Sequence, residues 1–169
     1  MELIVLTLTS FHLAVLLIAA AVFVATAVSD VRSYRIPNYF SGILLLLFPV
    51  YVATSPLPID WHQNIVVFSF VALISFSLFW FGLMGAGDVK LLSVASLWAG
   101  PSLIAVLLVI MALTGGIQSL VVAAVLGLKR SKNFGEPCLI KAQIPYGVAI
   151  ATGGVTMLGL MARPVLLSD

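Results

Sequence analysis

An all-α, polytopic transmembrane bundle of about six spans is the fold this sequence predicts, and three observations carry the prediction. Hydrophobic residues make up 62% of the chain, charged residues 8%, and the mean hydropathy is +1.23, whereas soluble domains carry roughly 25% charge. Long charge-free runs recur along the chain, separated by short polar stretches rich in Pro, Gly and basic residues. The 169 residues hold about six spans at roughly 20 residues each, which leaves little for a soluble domain.

The elements follow in order. Residues 3–28 form a charge-free run, and the weakly polar start Met1-Glu2-Leu3 lacks the basic opening of a secretory signal, so a retained first span is expected. The polar stretch Ser29 to Asn38 reads as a loop, with Pro37 disfavouring helix at Ile36 and suiting the start of the next helix. A second span is expected at 39–54, bent or ended near Pro49. Ser55 to Gln63 carries Pro56, Pro58 and Trp61 and reads as an interfacial loop. A third span at 64–84 runs into Gly85-Ala86-Gly87-Asp88, where the two glycines release the backbone from helix.

From Leu91 to Leu128 no charge interrupts the sequence, nearly twice the length of one crossing. It therefore folds back, with Gly100-Pro101 the preferred turn and Thr114-Gly115-Gly116 the competitor, giving spans at about 89–100 and 102–128. A basic stretch, Lys129 to Lys141, precedes the last span at 144–161. With the N-terminus outside, Arg32, Arg35, Lys90, Lys129, Arg130, Lys132 and Lys141 all fall inside, leaving Arg163 alone outside. Positive charge concentrates on the cytoplasmic side of such proteins.

This topology puts Asp30 and Asp88 on one side of the membrane, each beside the end of a span. Two carboxylates held a few ångströms apart cannot both ionise freely; the ionised one can take a proton from water while its partner polarises a carbonyl. That suffices to hydrolyse an amide without a metal or cofactor. His12 precedes Asp30 by eighteen positions, roughly 27 Å along a helix, and His62 falls in an outer loop, so histidine chemistry does not serve this site. The single cysteine, Cys138, excludes an internal disulfide and a cysteine metal cluster. A net charge of +2 gives no reason to expect nucleic acid as a partner. Taken alone, Asp88 reads also as a helix cap and Asp30 as a solvated acid beside Arg32 and Arg35. Two other classes use the same residues: a proton-coupled transporter with relay carboxylates, and a non-catalytic membrane subunit of a secretion machine.

Asp30 with Pro37-Asn38, then Gly85-Ala86-Gly87-Asp88-Val89-Lys90, then Ile144-Pro145-Tyr146-Gly147, in that order, resembles the type IV prepilin leader peptidases. These are intramembrane aspartic proteases of the Gly-x-Gly-Asp type, and the short chain looks most like those of tight-adherence (Flp) pilus systems. The resemblance implies Asp30 and Asp88 as the catalytic pair, acting at the cytoplasmic face of a bacterial inner membrane. The implied substrate is a prepilin, whose short basic leader is removed ahead of its apolar helix. Gly85, Gly87 and Lys90 would support the catalytic loop; Pro37, Asn38, Pro145, Tyr146 and Gly147 would line the cleft. Bifunctional members carry a cysteine-bearing insertion that methylates the new N-terminus. The short Asp30–Tyr39 spacing and lone Cys138 depart from that pattern, so 1–169 is expected as one peptidase domain without methyltransferase. No cofactor is expected; lipid and prepilin are the expected partners.

Overall fold

The computed structural model describes the backbone of residues 2–56, 58–132 and 146–166, and the side chains of 9–56, 58–125 and 146–163. Among these, every regular element is helical: α1 (Glu2–Ser33), α2 (Asn38–Thr54), α3 (Trp61–Trp80), α4 (Ala86–Lys132) and α5 (Tyr146–Leu166). Three helical stretches are long and apolar enough to cross a membrane, Thr9–Ser33, Trp61–Trp80 and Ala86–Val125, and Asn38–Thr54 is a shorter apolar helix. Glu136, Cys138, Lys141 and Pro145 lie outside the described residues.

Several boundaries differ from those expected, and each difference has a local cause. The first helix does not stop at Val28 but runs on to Ser33, so Asp30 stands on a helix and not in a loop. Ser33 Oγ donates to the Ser29 carbonyl (2.7 Å) and the Tyr34 amide to the Asp30 carbonyl (2.8 Å). The polar residues thus satisfy the last turn of helix instead of breaking it. The break comes at Tyr34, whose φ of 50° is left-handed, a common helix terminator. Pro37 then caps α2 with extended backbone (φ −60°, ψ 138°), and Pro49 lies inside that helix without ending it.

The turn before Asp88 also falls elsewhere than expected. Helix α3 ends at Trp80 and the chain turns at Gly82, whose φ of +70° is closed to most side chains. Helix α4 begins at Ala86, so Gly87 is already helical and only Gly85 of the glycine pair stays outside.

Helix α4 contains the reversal. Gly100 has φ 54° and ψ −169°, and Pro101 follows it; glycine tolerates that backbone and proline has no N–H to lose. Contacts on either side fix the direction of the two limbs. The first limb has Lys90 against Asn38 at one end and Gly100 against Asn64 at the other. The second runs back along α5, with Leu107 against Gly153, Thr114 hydrogen-bonded to Thr152 (3.1 Å), and Gly115 against Ala149. The turn therefore sits at Gly100-Pro101 and not at Gly115-Gly116. Asn64 clasps it by donating from Nδ2 to the Leu97 carbonyl (2.9 Å). A methyl group at residue 100 would lie 2.5 Å from Asn64 Oδ1. Gly100→Ala is thus expected to lower the melting temperature in detergent, through positive φ and this collision together, at a cost of about 1–3 kcal/mol.

The first limb is the centre of the bundle: residues 91–100 are buried without exception. Trp98, fully buried, donates its indole N–H to the Leu44 carbonyl (3.0 Å) and packs on Tyr51 and Phe48. Around it, α4 packs against α3, α5 and α2, and α1 packs against α5 and α2. Small residues set the closest approaches. A Cβ on Gly154 would lie 2.7–2.9 Å from three ring atoms of buried Phe23. Gly154→Ala should therefore destabilise the bundle by about 1–3 kcal/mol, read as a lower melting temperature. Gly153 is equally confined, whereas Gly116 faces open space.

Candidate active site

Asp30 and Asp88, 58 positions apart in sequence, come to the same end of the bundle, close enough for the charge of Asp30 to act on Asp88. Asp30 is 5% exposed, so the solvated-loop reading of this residue is incorrect. Asp88 is half-buried in the first turn of α4. Acids are favoured there by the helix dipole and by the unpaired N–H groups of the first turn. The Gly85 amide faces its carboxylate, so Asp88 reaches back over the residue before the helix. A Cβ on Gly85 would lie 2.8 Å from Asp88 Oδ2. Gly85 is thus required by the carboxylate it supports.

Gly147, one residue into α5, does the same for the other acid. The amides of Gly147 and Val148 face the Asp30 carboxylate, although Oδ2 itself is buried and makes no hydrogen bond of ordinary geometry. A Cβ on Gly147 would meet Asp30 Oδ2 at 2.7 Å and Ile36 Cδ1 at 2.6 Å. Ile36 in turn lies against Gly87, where a Cβ would come 3.0 Å from its own Cβ and 3.2 Å from its carbonyl oxygen. One apolar side chain therefore spaces the end of α1, the start of α4 and the start of α5. Sequence reasoning missed Ile36; the available signal was a lone aliphatic residue in an otherwise polar stretch, Ser33 to Asn38.

Lys90 and Asn38 are also brought together: Lys90 Nζ donates to Asn38 Oδ1 (2.9 Å) on the exposed rim. The bond ties α4 to α2 beside Asp88. If that is the whole of its effect, Lys90→Ala and Asn38→Ala each reduce activity modestly, and the double variant is no worse than either alone. A double-mutant cycle on initial rates checks this, with a coupling of about 0.5–3 kcal/mol expected for residues in contact. Pro37 acts through the backbone as the N-cap of α2, and Tyr146 is 37% exposed at the start of α5.

The histidines stand apart from the acids. His12 is buried at the opposite end of α1, tilted against the Tyr51 ring (5.1 Å between ring centroids) and 3.4 Å from Thr54 Oγ1. His62 lies over Trp61 and 3.8 Å from Asp60. Arg32 and Arg35 are exposed. Trp61 and Trp80 are exposed where Trp98 is core.

What this arrangement offers chemically is a pair of carboxylates at one end of the bundle, each faced by backbone amides. No curated protein and no solved structure matches the sequence. Residues 6–120, more than half of the chain and including both aspartates, match the type IV leader peptidase family. The chain therefore belongs to the type IV leader peptidase family, which implies a peptidase acting on a protein substrate.

Proposed function

We propose that the protein is an intramembrane aspartic endopeptidase that removes the short basic leader of a type IV, Flp-like prepilin, with Asp30 and Asp88 as its catalytic pair. The observation that carries this reading is the meeting of a buried and a half-buried carboxylate, from α1 and α4, at one end of an apolar bundle. Two carboxylates whose charges act on each other ionise unequally, one keeping its proton while the other is charged. The ionised one takes a proton from water, and the water oxygen bonds to the scissile carbonyl carbon as the protonated one donates to the carbonyl oxygen. Collapse of that adduct breaks the C–N bond, the leaving nitrogen taking a proton from one acid while a hydroxyl of the adduct returns one to the other, which frees a carboxylic acid and an amine and restores the pair. Gly85 and Gly147 allow the backbone to come close to Asp88 and Asp30 respectively, and Ile36, held between Gly87 and Gly147, spaces the starts of α4 and α5.

In this reading the chain crosses the membrane six times with its N-terminus outside: α1, α2, α3, the two limbs of α4, and α5. The site faces the cytoplasm of a bacterial inner membrane, where basic residues concentrate. The whole chain is one peptidase unit, and it does not methylate its product. The test is co-expression with a small prepilin, reading the mature N-terminus by mass spectrometry. Expected is a new N-terminus at the junction of leader and apolar helix, unmethylated. An intact leader in the presence of the folded enzyme would overturn the reading.

A further inference from the structure

The two acids sit in unequal surroundings. Asp30 is 5% exposed, and its Oδ2 is closed to solvent with no hydrogen-bond partner among the described residues. The groups that face its carboxylate are donors, the amides of Gly147 and Val148 in the first turn of the 21-residue helix α5. The absence of a side chain at Gly147 permits this approach, since a Cβ there would lie 2.7 Å from Oδ2. Asp88 is half-buried, stands in the first turn of its own helix, and is faced by one amide, that of Gly85.

Hydrogen-bond chemistry says what each environment accepts. A carboxylate only accepts, whereas a carboxylic acid must also place an O–H. Around Asp30, two amides and the positive end of α5 favour the anion. A proton on Oδ2 would be a buried donor with nothing to receive it, an unmade bond that is costly in free energy. Asp88 is the more open of the two, so its O–H can reach water or a substrate carbonyl. The charge of Asp30 acts on it and opposes a second charge beside the first. The other charged or titratable side chains described at this end of the bundle do not set the order. Arg32, Tyr34 and Arg35 around the end of α1, Tyr39 on α2, Lys90 on α4 and Tyr146 on α5 are all exposed, and Lys90 is engaged with Asn38.

From this we infer that the two acids hold fixed and different roles: Asp30 enters the reaction ionised and is the base, and Asp88 enters it protonated and is the acid. The inference rests on the peptidase reading above and adds which residue performs which transfer. Asp30 takes a proton from water as the water oxygen bonds to the carbonyl carbon, and Asp88 gives its proton to the carbonyl oxygen. On collapse the leaving nitrogen takes the proton from Asp30 as the C–N bond breaks. A hydroxyl of the adduct returns a proton to Asp88, so each acid ends as it began.

The amides that face the acids report on them separately. Tyr146-Gly147 is the one Tyr-Gly pair in the sequence, and Met84-Gly85 the one Met-Gly pair. Isotope labels on the tyrosine or methionine carbonyl and on the glycine nitrogen therefore isolate each amide in the NMR spectrum of the full-length protein in detergent. As pH rises, the Gly147 amide is expected to shift first and the Gly85 amide at least about one pH unit later, the separation of a strongly interacting pair. Asp30→Asn should bring the Gly85 transition to lower pH, because the opposing charge is gone. Asp88→Asn should leave the Gly147 transition in place, because asparagine is neutral like the protonated acid it replaces. The rate of leader release should rise with the Gly147 transition and fall with the Gly85 transition. A Gly85 amide that moves first, two amides that move together, or a Gly147 transition lowered by Asp88→Asn overturns the assignment. An inactive wild type with the expected order of transitions removes the peptidase reading; an active one with the order reversed removes the assignment of roles alone.

Discussion

Asp88→Asn is expected to abolish leader removal, and Asp30→Asn to do the same, with neither change preventing insertion or folding. Asparagine keeps the size of the side chain and can still face the Gly85 amide, or the Gly147 and Val148 amides, that the carboxylates face now. What it cannot do is exchange a proton with water. A positioned acid or base contributes about 10²–10⁴ in rate. The two act as a unit, so losing either should cost as much as losing both. The measurement is the initial rate of leader release from a purified prepilin in detergent, with wild type and both variants matched by gel filtration and melting temperature. Folded Asp30→Asn or Asp88→Asn protein that cleaves within a few-fold of wild type would end the assignment of that residue.

Gly147→Val should cost nearly as much without replacing either acid. A Cβ at this position would lie 2.7 Å from Asp30 Oδ2, 3.0 Å from Asp30 Cγ and 2.6 Å from Ile36 Cδ1. These neighbours cannot all yield, because Asp30 is buried and Ile36 is also held against Gly87. The Asp30 side chain or the start of α5 must therefore shift. A displacement of about 1 Å in a catalytic group costs on the order of 10² in rate. A large fall in kcat with a melting temperature close to that of the wild type would identify the geometric effect. Ile36→Ala supplies the companion test: it relieves the contact, and in the double variant part of the lost rate should return. Wild-type kcat in Gly147→Val would mean that the spacing of Asp30 against α5 does not matter to catalysis.

The two variants differ in what the sequence could say about them. Asp88 was legible because an acid beside glycines, between long apolar runs, has few roles in a protein with 8% charged residues. Asp30 was legible as a residue of the same face through the distribution of basic residues. Its burial was not, because Ser29 to Asn38 has the composition of a loop and nothing local says that serine hydroxyls will carry the helix to Ser33. Gly147 was visible as part of a short motif, yet the reason it must be glycine lies on α1, more than a hundred residues earlier. Ile36 carried no recognisable motif at all.

Of the two turns the sequence offered in its long apolar segment, the preferred one, Gly100-Pro101, is where the helix breaks, because a glycine followed by a proline interrupts helix more strongly than glycines alone. The turn before Asp88 was placed on the wrong glycine. Gly82 has the positive φ, whereas Gly87 is glycine because Ile36 crowds it. Sequence shows that a glycine is present but not whether dihedral freedom or lack of a side chain is what the fold uses. Only the neighbours tell the two apart.

What the sequence determined by itself was therefore the class of structure, all-helical with long apolar segments, and the two acids worth watching. These follow from composition and periodicity, because apolar length and charge placement act along the chain. The tertiary structure alone decided how far Asp30 is buried and that Ile36 spaces Gly87 from Gly147. Each of those depends on contacts between segments distant in sequence. Such contacts are set by how helices pack in three dimensions, which no local pattern of residues encodes.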